Sequence, residues 1–322
     1  MGEWLYGKNG YYTKFREIGK AGDFYTAVSS SQFFGGAIAN EIIKIVESGK
    51  FSEKVLICEI GAHKGYLIDD IISFIFTLRP ELLKTVSFAV IEKFEDIQKK
   101  QAQFWKESFG DEVKIQIYSS LSELNSKETI FVANEIFDAF PTELFYKGKI
   151  ASFVNGKIEF DTVDENISEI AKNLGKDRGE IPVGFRDFAK ELSQSSEKFE
   201  FITFDYGDLE ARPDFSIRIY HKHKVFPLFE ENLDFEEFFG KSDITFDVDF
   251  NFLQKEFQKE GIETLEFKTQ MRALIDFGLI ELLEILKKNT NEKAYNSELN
   301  RVKILIDPSF MGERFKMIRF SK

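Results

Sequence analysis

The stretch "CEIGAHKGYL" holds the residues whose types and spacing are best suited to bind a small ligand. Glu59 comes two residues before Gly61, and Gly65 follows after three further residues. Glycine adopts backbone angles that other residues avoid, so Gly61 lets a ligand approach the main chain closely. Gly65 precedes a helix-like run, and the first NH groups of a helix favour negative charge. The spacing indicates a ligand-binding loop, although a strand, turn and helix without a ligand would look the same.

A further acidic residue, Glu92, ends the next apolar run, "SFAVIE". At the end of a second strand, such a side chain accepts hydrogen bonds from both hydroxyls of a ribose. The Walker pattern GxxxxGK[ST] and the dinucleotide pattern GxGxxG are both missing, so the loop is not predicted to hold phosphates. The order acidic-x-Gly-x-x-x-Gly instead favours S-adenosylmethionine, which has no phosphate and whose α-amino group a carboxylate can hold.

His63 occupies the centre of this loop. A Cβ at a position that needs glycine-like angles causes strain of about 1–3 kcal/mol unless the surrounding backbone supports it. The imidazole would point toward the methionine end of the cofactor. There it would either line the pocket and form a hydrogen bond or fill the pocket, so a working site and a silent site both stay open.

Strands that alternate with helices are needed to bring these residues together. Nearly all-apolar runs predict buried parallel strands, and segments with helical periodicity lie between them. This alternation predicts a doubly wound α/β sheet with right-handed crossovers, in which ligands bind at the carboxyl ends of the strands. The predicted core strands of this sheet span residues 55–60, 87–92, 113–120, 129–135 and 198–207, and two later strands are predicted over 262–267 and 314–321.

The alternation changes after residue 141. Turn signals at Lys147-Gly148 and Asn155-Gly156 separate β-rich runs over 142–160 and predict a hairpin or meander. We therefore expect an inserted α+β subdomain over 142–197 and a core made of 1–141 and 198–322, with an irregular excursion over 208–248. The helices predicted in these parts span 166–174, 185–195, 249–260, 269–289 and 297–305.

Charge and hydropathy restrict the partners. The chain has 322 residues, a formal net charge of −12 and a pI near 5.0. An acidic surface repels phosphate backbones, so we expect no nucleic-acid partner. No apolar run reaches the ~18 residues of a membrane span, so we expect no membrane partner either.

The single cysteine, Cys58, lies inside an apolar run and is expected to be buried and inert. A lone buried thiol fits a reducing compartment, and the N-terminus has no signal-peptide core, so we expect a cytoplasmic protein. His221 and His223 alternate as two residues on one strand face would, but no third ligand stands nearby in sequence. We therefore expect no metal site.

Nine segments in a fixed order make the family recognisable. They are "LYGKNGYY", "GDFYTAVSSSQFFG", "CEIGAHKGYL", "VANEIFDAFP", "FDYGD", "RIYHKH", "DITFDVDF", "KTQMRALIDFGL" and "MGERFKMIRF". With them the chain resembles the S-adenosylmethionine-dependent methyltransferases of the MidA type. Mitochondrial members of that family are complex I assembly factors that act as protein arginine methyltransferases.

The resemblance implies a Rossmann-like class I methyltransferase sheet, mostly parallel with an antiparallel C-terminal strand. It also implies S-adenosylmethionine as the cofactor and a protein substrate with an arginine acceptor. Asp23 and Thr26 would close over the cofactor, and Asn134 would contact either ligand. The full set of cofactor-binding residues expected in this way is Glu59, Gly61, His63, Gly65, Glu92, Asn134, Asp23 and Thr26.

Two carboxylates, Glu135 and Asp138, are the residues expected to serve the methyl acceptor. A positively charged guanidinium binds carboxylates with two parallel hydrogen bonds. The two residues are three positions apart, so a helical turn would direct both to the same side. We expect them to orient and polarise the acceptor, and capping of the following helix is the alternative role.

Three positions depart from the family pattern. Ala62 and His63 replace a proline and the central glycine, Ala27-Val28-Ser29 replaces Ser-Pro-Glu, and Asp247 replaces a histidine. The first change bears on cofactor affinity and the other two on the substrate. Three interpretations therefore stay open: a protein arginine methyltransferase, a small-molecule O- or N-methyltransferase, and a silent binding or assembly protein. A homodimer also stays open.

Overall fold

The computed structural model describes residues 1–13, 26–154, 157–210, 212–222, 224–230 and 233–322. In this part of the chain the helices α1 to α12 span Gly2–Tyr6, Ala27–Ser30, Phe33–Glu47, Tyr66–Leu78, Glu95–Phe109, Glu165–Asn173, Phe185–Ser195, Phe235–Phe238, Phe250–Lys259, Gln270–Asp276, Leu279–Asn289 and Glu292–Ile306. The strands β1 to β15 span Leu56–Ile60, Ser87–Ile91, Ile115–Tyr118, Ser126–Asn134, Thr142–Tyr146, Lys149–Val154, Lys157–Thr162, Arg178–Pro182, Ser196–Asp208, Arg218–His221, Lys224–Pro227, Asp243–Thr245, Val248–Asp249, Glu263–Thr269 and Phe315–Ser321.

The chain forms two compact units. The first, here called the sheet unit, comprises Tyr25–Glu135, Lys190–Asp205 and Gly261–Lys322. The second, here called the accessory unit, comprises Met1–Phe24, Ile136–Ala189 and Tyr206–Glu260. The expected division into a core and an insertion over 142–197 stays a prediction.

The sheet unit is built on one sheet with the strand order β14-β15-β9-β4-β1-β2-β3. The pairs β1–β2, β2–β3, β1–β4 and β4–β9 are parallel, and β14 pairs antiparallel with β15. The expected mostly parallel sheet with an antiparallel C-terminal strand is confirmed. Since the chain moves outward from β1 to β3 and then returns to β4 on the other side, the switch in strand order lies between β1 and β4.

The centre of this sheet is apolar because its strands are covered on both faces. All five residues of β1 are buried, and Cys58 has no exposed surface. Burial strongly raises the pKa of the Cys58 thiol, which fits the expected inert core residue. The helix predicted to end near Leu78 is confirmed as α4, and Pro80 follows it.

The accessory unit contains a four-stranded sheet, β7-β6-β5-β8, and a three-stranded sheet, β11-β10-β12. The predicted turn at Lys147-Gly148 joins β5 to β6 with positive φ at both residues, 47° and 82°, as a primed hairpin turn requires. The other predicted turn, Asn155-Gly156, lies outside the described residues. A small core beneath the larger sheet consists of Phe145, Ile167, Ala171 and Ile181.

Two element predictions are wrong. The excursion over 208–248 is not irregular, because β10, β11, α8, β12 and the start of β13 lie within it. The helix expected over 269–289 is two helices, α10 and α11, separated at Gly278, whose φ is 96°. In the described part of the chain, the helices are all too short or too polar to cross a membrane.

Candidate functional site

The loop between β1 and α4 has the backbone that its glycines predict. Gly61 has a φ of 75°, and its N–H donates to Ile91 O of the neighbouring strand at 3.0 Å. Gly65 has a φ of 77° and is the residue before the first turn of α4. The Gly65 N–H donates to Ala62 O at 2.6 Å, which closes the turn. The loop therefore folds back on itself at the carboxyl end of β1.

Glu59 caps the helix that follows this loop. Its Oε2 accepts a hydrogen bond from the N–H of Ile68, in the first turn of α4, at 2.9 Å. Gly65 has no side chain to serve as a cap, so the carboxylate from β1 takes that place. The Glu59 side chain is buried, and this burial raises its pKa to about 8 against the opposing effect of the hydrogen bond.

Glu92 contacts the same loop from the end of β2. Its Oε1 accepts from the N–H of Phe94 at 3.1 Å, and the N–H groups of His63 and Lys93 also stabilise its charged form. Burial raises the pKa of Glu92 despite these donors. The carboxylate expected to bind a ribose thus also joins the end of β2 to the centre of the loop.

His63 adopts the left-handed backbone expected at a position usually held by glycine. Its φ is 42°, and its side chain is half-buried. The His63 carbonyl oxygen accepts a hydrogen bond from Gln101 Nε2 at 2.8 Å. The loop therefore holds a histidine in a backbone conformation that favours glycine, at a cost of about 1–3 kcal/mol in strain.

Gln101 and Trp105 on α5 are site residues that sequence reasoning missed. Trp105 Nε1 donates to Gly65 O at 3.0 Å, and both side chains are buried. A Cβ on Gly65 would come within 2.5 Å of the Trp105 ring, so the two residues fit closely. The available signal was a glutamine in the buried stripe of α5, which is formed by Ile97, Gln101 and Trp105.

Asn134 and Glu135 lie at the carboxyl end of β4, next to β1. Glu135 has a φ of 54°, and its N–H donates to Phe204 O at 2.8 Å. Its Oε1 accepts from Asn134 Nδ2 at 2.7 Å and from the N–H of Ala27 at 3.4 Å. The Asn134 Oδ1 atom is buried and has no hydrogen-bond partner among the described residues. This edge of the sheet therefore combines the fixed carboxylate of Glu135 with an available hydrogen-bond acceptor, Asn134 Oδ1.

The expected lid residues are only partly described. Thr26 is the N-cap of the short helix α2 and accepts from the N–H of Ser29 at 3.1 Å. Ala27, the next residue, is the one whose N–H reaches Glu135. Asp23 lies outside the described residues, so its expected role stays a prediction.

Asp138 belongs to the accessory unit, where it is part of a buried polar network. Its Oδ2 accepts from Tyr206 OH at 2.7 Å, and Tyr206 OH also contacts Thr245 Oγ1. Burial raises the pKa of Asp138 to about 6, while Tyr206 and Arg218 act in the opposite direction. The direct contact with an acceptor expected for Asp138 stays a prediction.

The helical turn expected over residues 135–138 is wrong. Glu135 has a left-handed backbone, and a short 3-10 turn begins only at Phe137 and ends at Ala139. The physical reason is that the φ of Glu135, 54°, lies outside the angles of a right-handed helix, so no helical turn can include this residue.

The departure at Asp247 has a structural explanation in the accessory unit. Its carboxylate pairs with Arg218 and, at 2.7 Å, with Arg212 Nε. The Arg218 guanidinium also lies over the Tyr206 ring, 5.1 Å from its centroid. A histidine at this position would not neutralise two arginines. His221 contacts Ser242 Oγ at 2.8 Å, and His223 lies outside the described residues.

Comparison with known protein families gives one match that covers most of the chain. Residues 37–268 match the model of a family described as "Putative S-adenosyl-L-methionine-dependent methyltransferase". The chain is 24% identical over 349 residues to the protein arginine methyltransferase NDUFAF7, mitochondrial, of Xenopus laevis, covering 95% of this chain and 76% of that protein. It is 25% identical over 341 residues to the human protein of the same name, covering 95% of this chain and 75% of that protein.

Solved structures share the fold. A protein from Burkholderia thailandensis crystallised with S-adenosyl-homocysteine matches with a TM-score of 0.82 and 20% identity, covering 100% of this chain and 86% of that one. A native crystal structure of a protein from the same organism matches with a TM-score of 0.81 and 21% identity, covering 100% of this chain and 85% of that one. These neighbours support the class I methyltransferase fold expected from the sequence.

The expected cytoplasmic location is wrong by this comparison. The similar proteins from frog, human and nematode are all named as mitochondrial. The expectation relied on one buried cysteine and on the lack of a signal-peptide core. A reduced, inaccessible thiol does not distinguish one reducing compartment from another.

Proposed function

The chain belongs to the family of S-adenosylmethionine-dependent methyltransferases, and we propose that its methyl acceptor is an arginine side chain of a protein. S-adenosylmethionine supplies an electrophilic methyl group on a sulfonium, which a nucleophile displaces in line. The protein has to hold the cofactor, align the acceptor nitrogen and exclude water.

The residues at the carboxyl ends of β1, β2 and β4 fit the cofactor. The loop at Gly61 brings exposed main chain to the edge where ligands bind in such sheets. Glu92 would hold the ribose hydroxyls, and Glu59 would hold the α-amino group while keeping its bond to α4. The buried Asn134 Oδ1 has no hydrogen-bond partner in the described part of the chain and so offers an acceptor for a donor on either ligand.

Glu135 is the residue proposed to bind the guanidinium of the methyl acceptor. A glutamate with a φ of 54° at the end of β4 is a strained residue, and strain of this kind is concentrated at functional sites. The contacts with Asn134 and Ala27 fix its carboxylate in one orientation. A fixed carboxylate attracts a guanidinium and aligns one nitrogen for attack, which is a positioning and electrostatic contribution to the rate.

Asp138 has a different proposed role. Its carboxylate is buried and already accepts a hydrogen bond from Tyr206. We therefore treat it as a positioning residue that fixes the backbone after Glu135, where the Asp138 carbonyl also accepts from the N–H of Phe246 at 3.1 Å.

Label transfer tests the proposed function. The protein is incubated with S-adenosylmethionine labelled in its methyl group and with a cell protein extract, and the precipitated protein is hydrolysed to amino acids. We expect label in methylarginine. Label found only in small molecules would instead support a small-molecule methyltransferase, and no transfer at all would support a silent binding protein.

Glu135→Gln separates the acceptor site from the cofactor site. We expect transfer to fall by about 100-fold or more, because the carboxylate charge acts on the transition state. Calorimetric affinity for S-adenosyl-homocysteine should stay within about twofold, since the proposed cofactor contacts are made by other residues. The control is Glu128→Gln at the amino end of the same strand, which should leave both properties unchanged. Transfer that survives Glu135→Gln would refute the proposed role of Glu135.

A further inference from the structure

Side chains on one face of α5 donate a row of hydrogen bonds to the main chain of the cofactor loop and of Glu92, the residue after β2. Gln98 Nε2 donates to Glu92 O at 2.6 Å, Gln101 Nε2 to His63 O at 2.8 Å, and Trp105 Nε1 to Gly65 O at 3.0 Å. Residues spaced three and seven positions apart share one face of a helix. A single rigid element therefore fixes three carbonyl groups around the loop.

We infer that Gln101 is a positioning residue that holds His63 in its left-handed conformation and so presets the loop for the cofactor. Gln101 is 1% exposed, and its Oε1 has no hydrogen-bond partner among the described residues. Burying an amide with one polar atom unpaired is unfavourable. An apolar side chain would fill the same space without this cost, so the amide contributes mainly through its bond to His63 O.

The anchor is needed because residue 63 is not glycine. Glycine populates positive φ about as readily as negative φ, whereas a residue with a Cβ does not. Without support, His63 would draw the loop toward other conformations, and the cofactor would bind only the fraction that stays competent. Gln101 fixes the carbonyl side of His63, and Glu92 stabilises its N–H side.

This inference concerns the cofactor loop alone. It uses the family's cofactor, but it does not depend on arginine being the acceptor. The tests therefore measure binding of S-adenosyl-homocysteine and the behaviour of the ligand-free protein. If the protein transferred no methyl group to arginine, the proposed function would fail, but these binding and exchange measurements would still test the role of Gln101.

A double-mutant cycle tests the coupling between the two residues. The variants are Gln101→Leu, His63→Gly and the double variant, and affinity for S-adenosyl-homocysteine is measured by calorimetry. Gln101→Leu should weaken binding about three- to tenfold in the presence of His63, the range of one net hydrogen bond. With glycine at residue 63, the same substitution should weaken binding less than about twofold.

The same helix provides the matched control. Gln103 is exposed and donates to Glu107 at 2.9 Å, away from the loop. Gln103→Leu should change neither the affinity for S-adenosyl-homocysteine nor the hydrogen-exchange rates of the loop amides, because an exposed i,i+4 pair contributes little.

Hydrogen exchange of the ligand-free protein gives a second measurement. Amides of the loop should exchange faster in Gln101→Leu than in the unsubstituted protein, and His63→Gly should restore slow exchange in the double variant. A purely structural glutamine would weaken binding and speed exchange equally with histidine or glycine at residue 63. Equal effects of Gln101→Leu in the two backgrounds would overturn the inference. So would no effect of Gln101→Leu in either background, or no binding of S-adenosyl-homocysteine by the folded unsubstituted protein.

Discussion

His63 and Glu135 mark the site at the scale of single residues. Both are non-glycine residues with positive φ, 42° and 54°, and they follow strands β1 and β4, which are parallel neighbours. Each is held by hydrogen bonds of its own main chain, to Gln101 and to Phe204. Strained residues persist only where the surroundings fix them, so this edge is stabilised in one conformation for its ligands.

Glu59 makes stability depend on pH. Its pKa in the folded protein is about 8, against an ordinary value of 4.5, because its side chain is buried. Between these values the folded state binds a proton that the unfolded state has released. The resulting stabilisation is complete below about pH 4.5 and is lost as the pH rises to about 8. Glu59→Gln keeps an acceptor for the Ile68 N–H but does not titrate.

Urea unfolding of the two proteins at pH 5 and pH 8 measures this effect. We expect the unsubstituted protein to lose on the order of 3 kcal/mol relative to Glu59→Gln between these pH values. Burial also raises the pKa of Asp70 to about 8, but that residue is present in both proteins, so the effect of its own burial cancels in the comparison. A difference that stays constant with pH, or that changes in the opposite direction, would contradict the assignment.

Sequence reasoning found the residues of the loop but not their partners. Gly61, Gly65 and the strained position at His63 follow from residue type, because positive φ is a local property. The contact between Gln101 and His63 joins residues 38 positions apart and depends on how α5 packs. No local pattern encodes such a contact, and a single sequence shows only that a glutamine stands in a buried stripe.

At the scale of elements, the close packing between α5 and the start of α4 restricts which residue type can occupy position 65. A Cβ there would lie 2.5 Å from Trp105 Cζ2 and 2.8 Å from Nε1, the atom that donates to Gly65 O. The position also has a φ of 77°. Gly65→Ala should therefore suffer both backbone strain and displacement of the indole ring.

A comparison with Gly49→Ala distinguishes the cost of backbone strain from the cost of displacing the Trp105 ring. Gly49 also has a positive φ of 75°, but a Cβ there would meet nothing within 4 Å. We expect about 1 kcal/mol of destabilisation in Gly49→Ala and about 2–4 kcal/mol in Gly65→Ala, measured by urea unfolding. Only Gly65→Ala should weaken binding of S-adenosyl-homocysteine. Equal losses of stability in the two variants would show that the indole contact is unimportant.

The elements missed from the sequence are short or carry a buried charge. Strand β8, "RGEIP", contains Glu180, whose Oε1 accepts from the N–H groups of Ser216 and Ile217 at 2.7 and 2.8 Å. A buried carboxylate interrupts the apolar pattern that predicts a strand. Strands β10 to β13 have two to four residues each, too few for periodicity to show. Strands β1 and β2 and the inner part of β4 were predictable because their residues are nearly all apolar.

At the scale of the whole molecule, charge should control the encounter with a basic acceptor. The chain has a formal net charge of −12, and a protein region that presents arginine is attracted to such a surface over distances near the Debye length. S-adenosyl-homocysteine carries no net charge in its zwitterionic form, so its binding lacks this long-range contribution. The encounter with a basic protein acceptor should therefore weaken as the salt concentration rises, whereas the affinity for S-adenosyl-homocysteine should change little.

Raising the salt concentration from about 50 mM to about 300 mM shortens the Debye length and weakens this attraction. We expect the initial rate of methyl transfer to protein, at low acceptor concentration, to fall at least about threefold. Over the same range, the affinity for S-adenosyl-homocysteine should change by less than about twofold. Because the cofactor measurement controls for general effects of salt on the fold, a parallel loss of both would indicate destabilisation. A transfer rate that is unchanged or increased by salt would argue against a basic acceptor and thus against arginine.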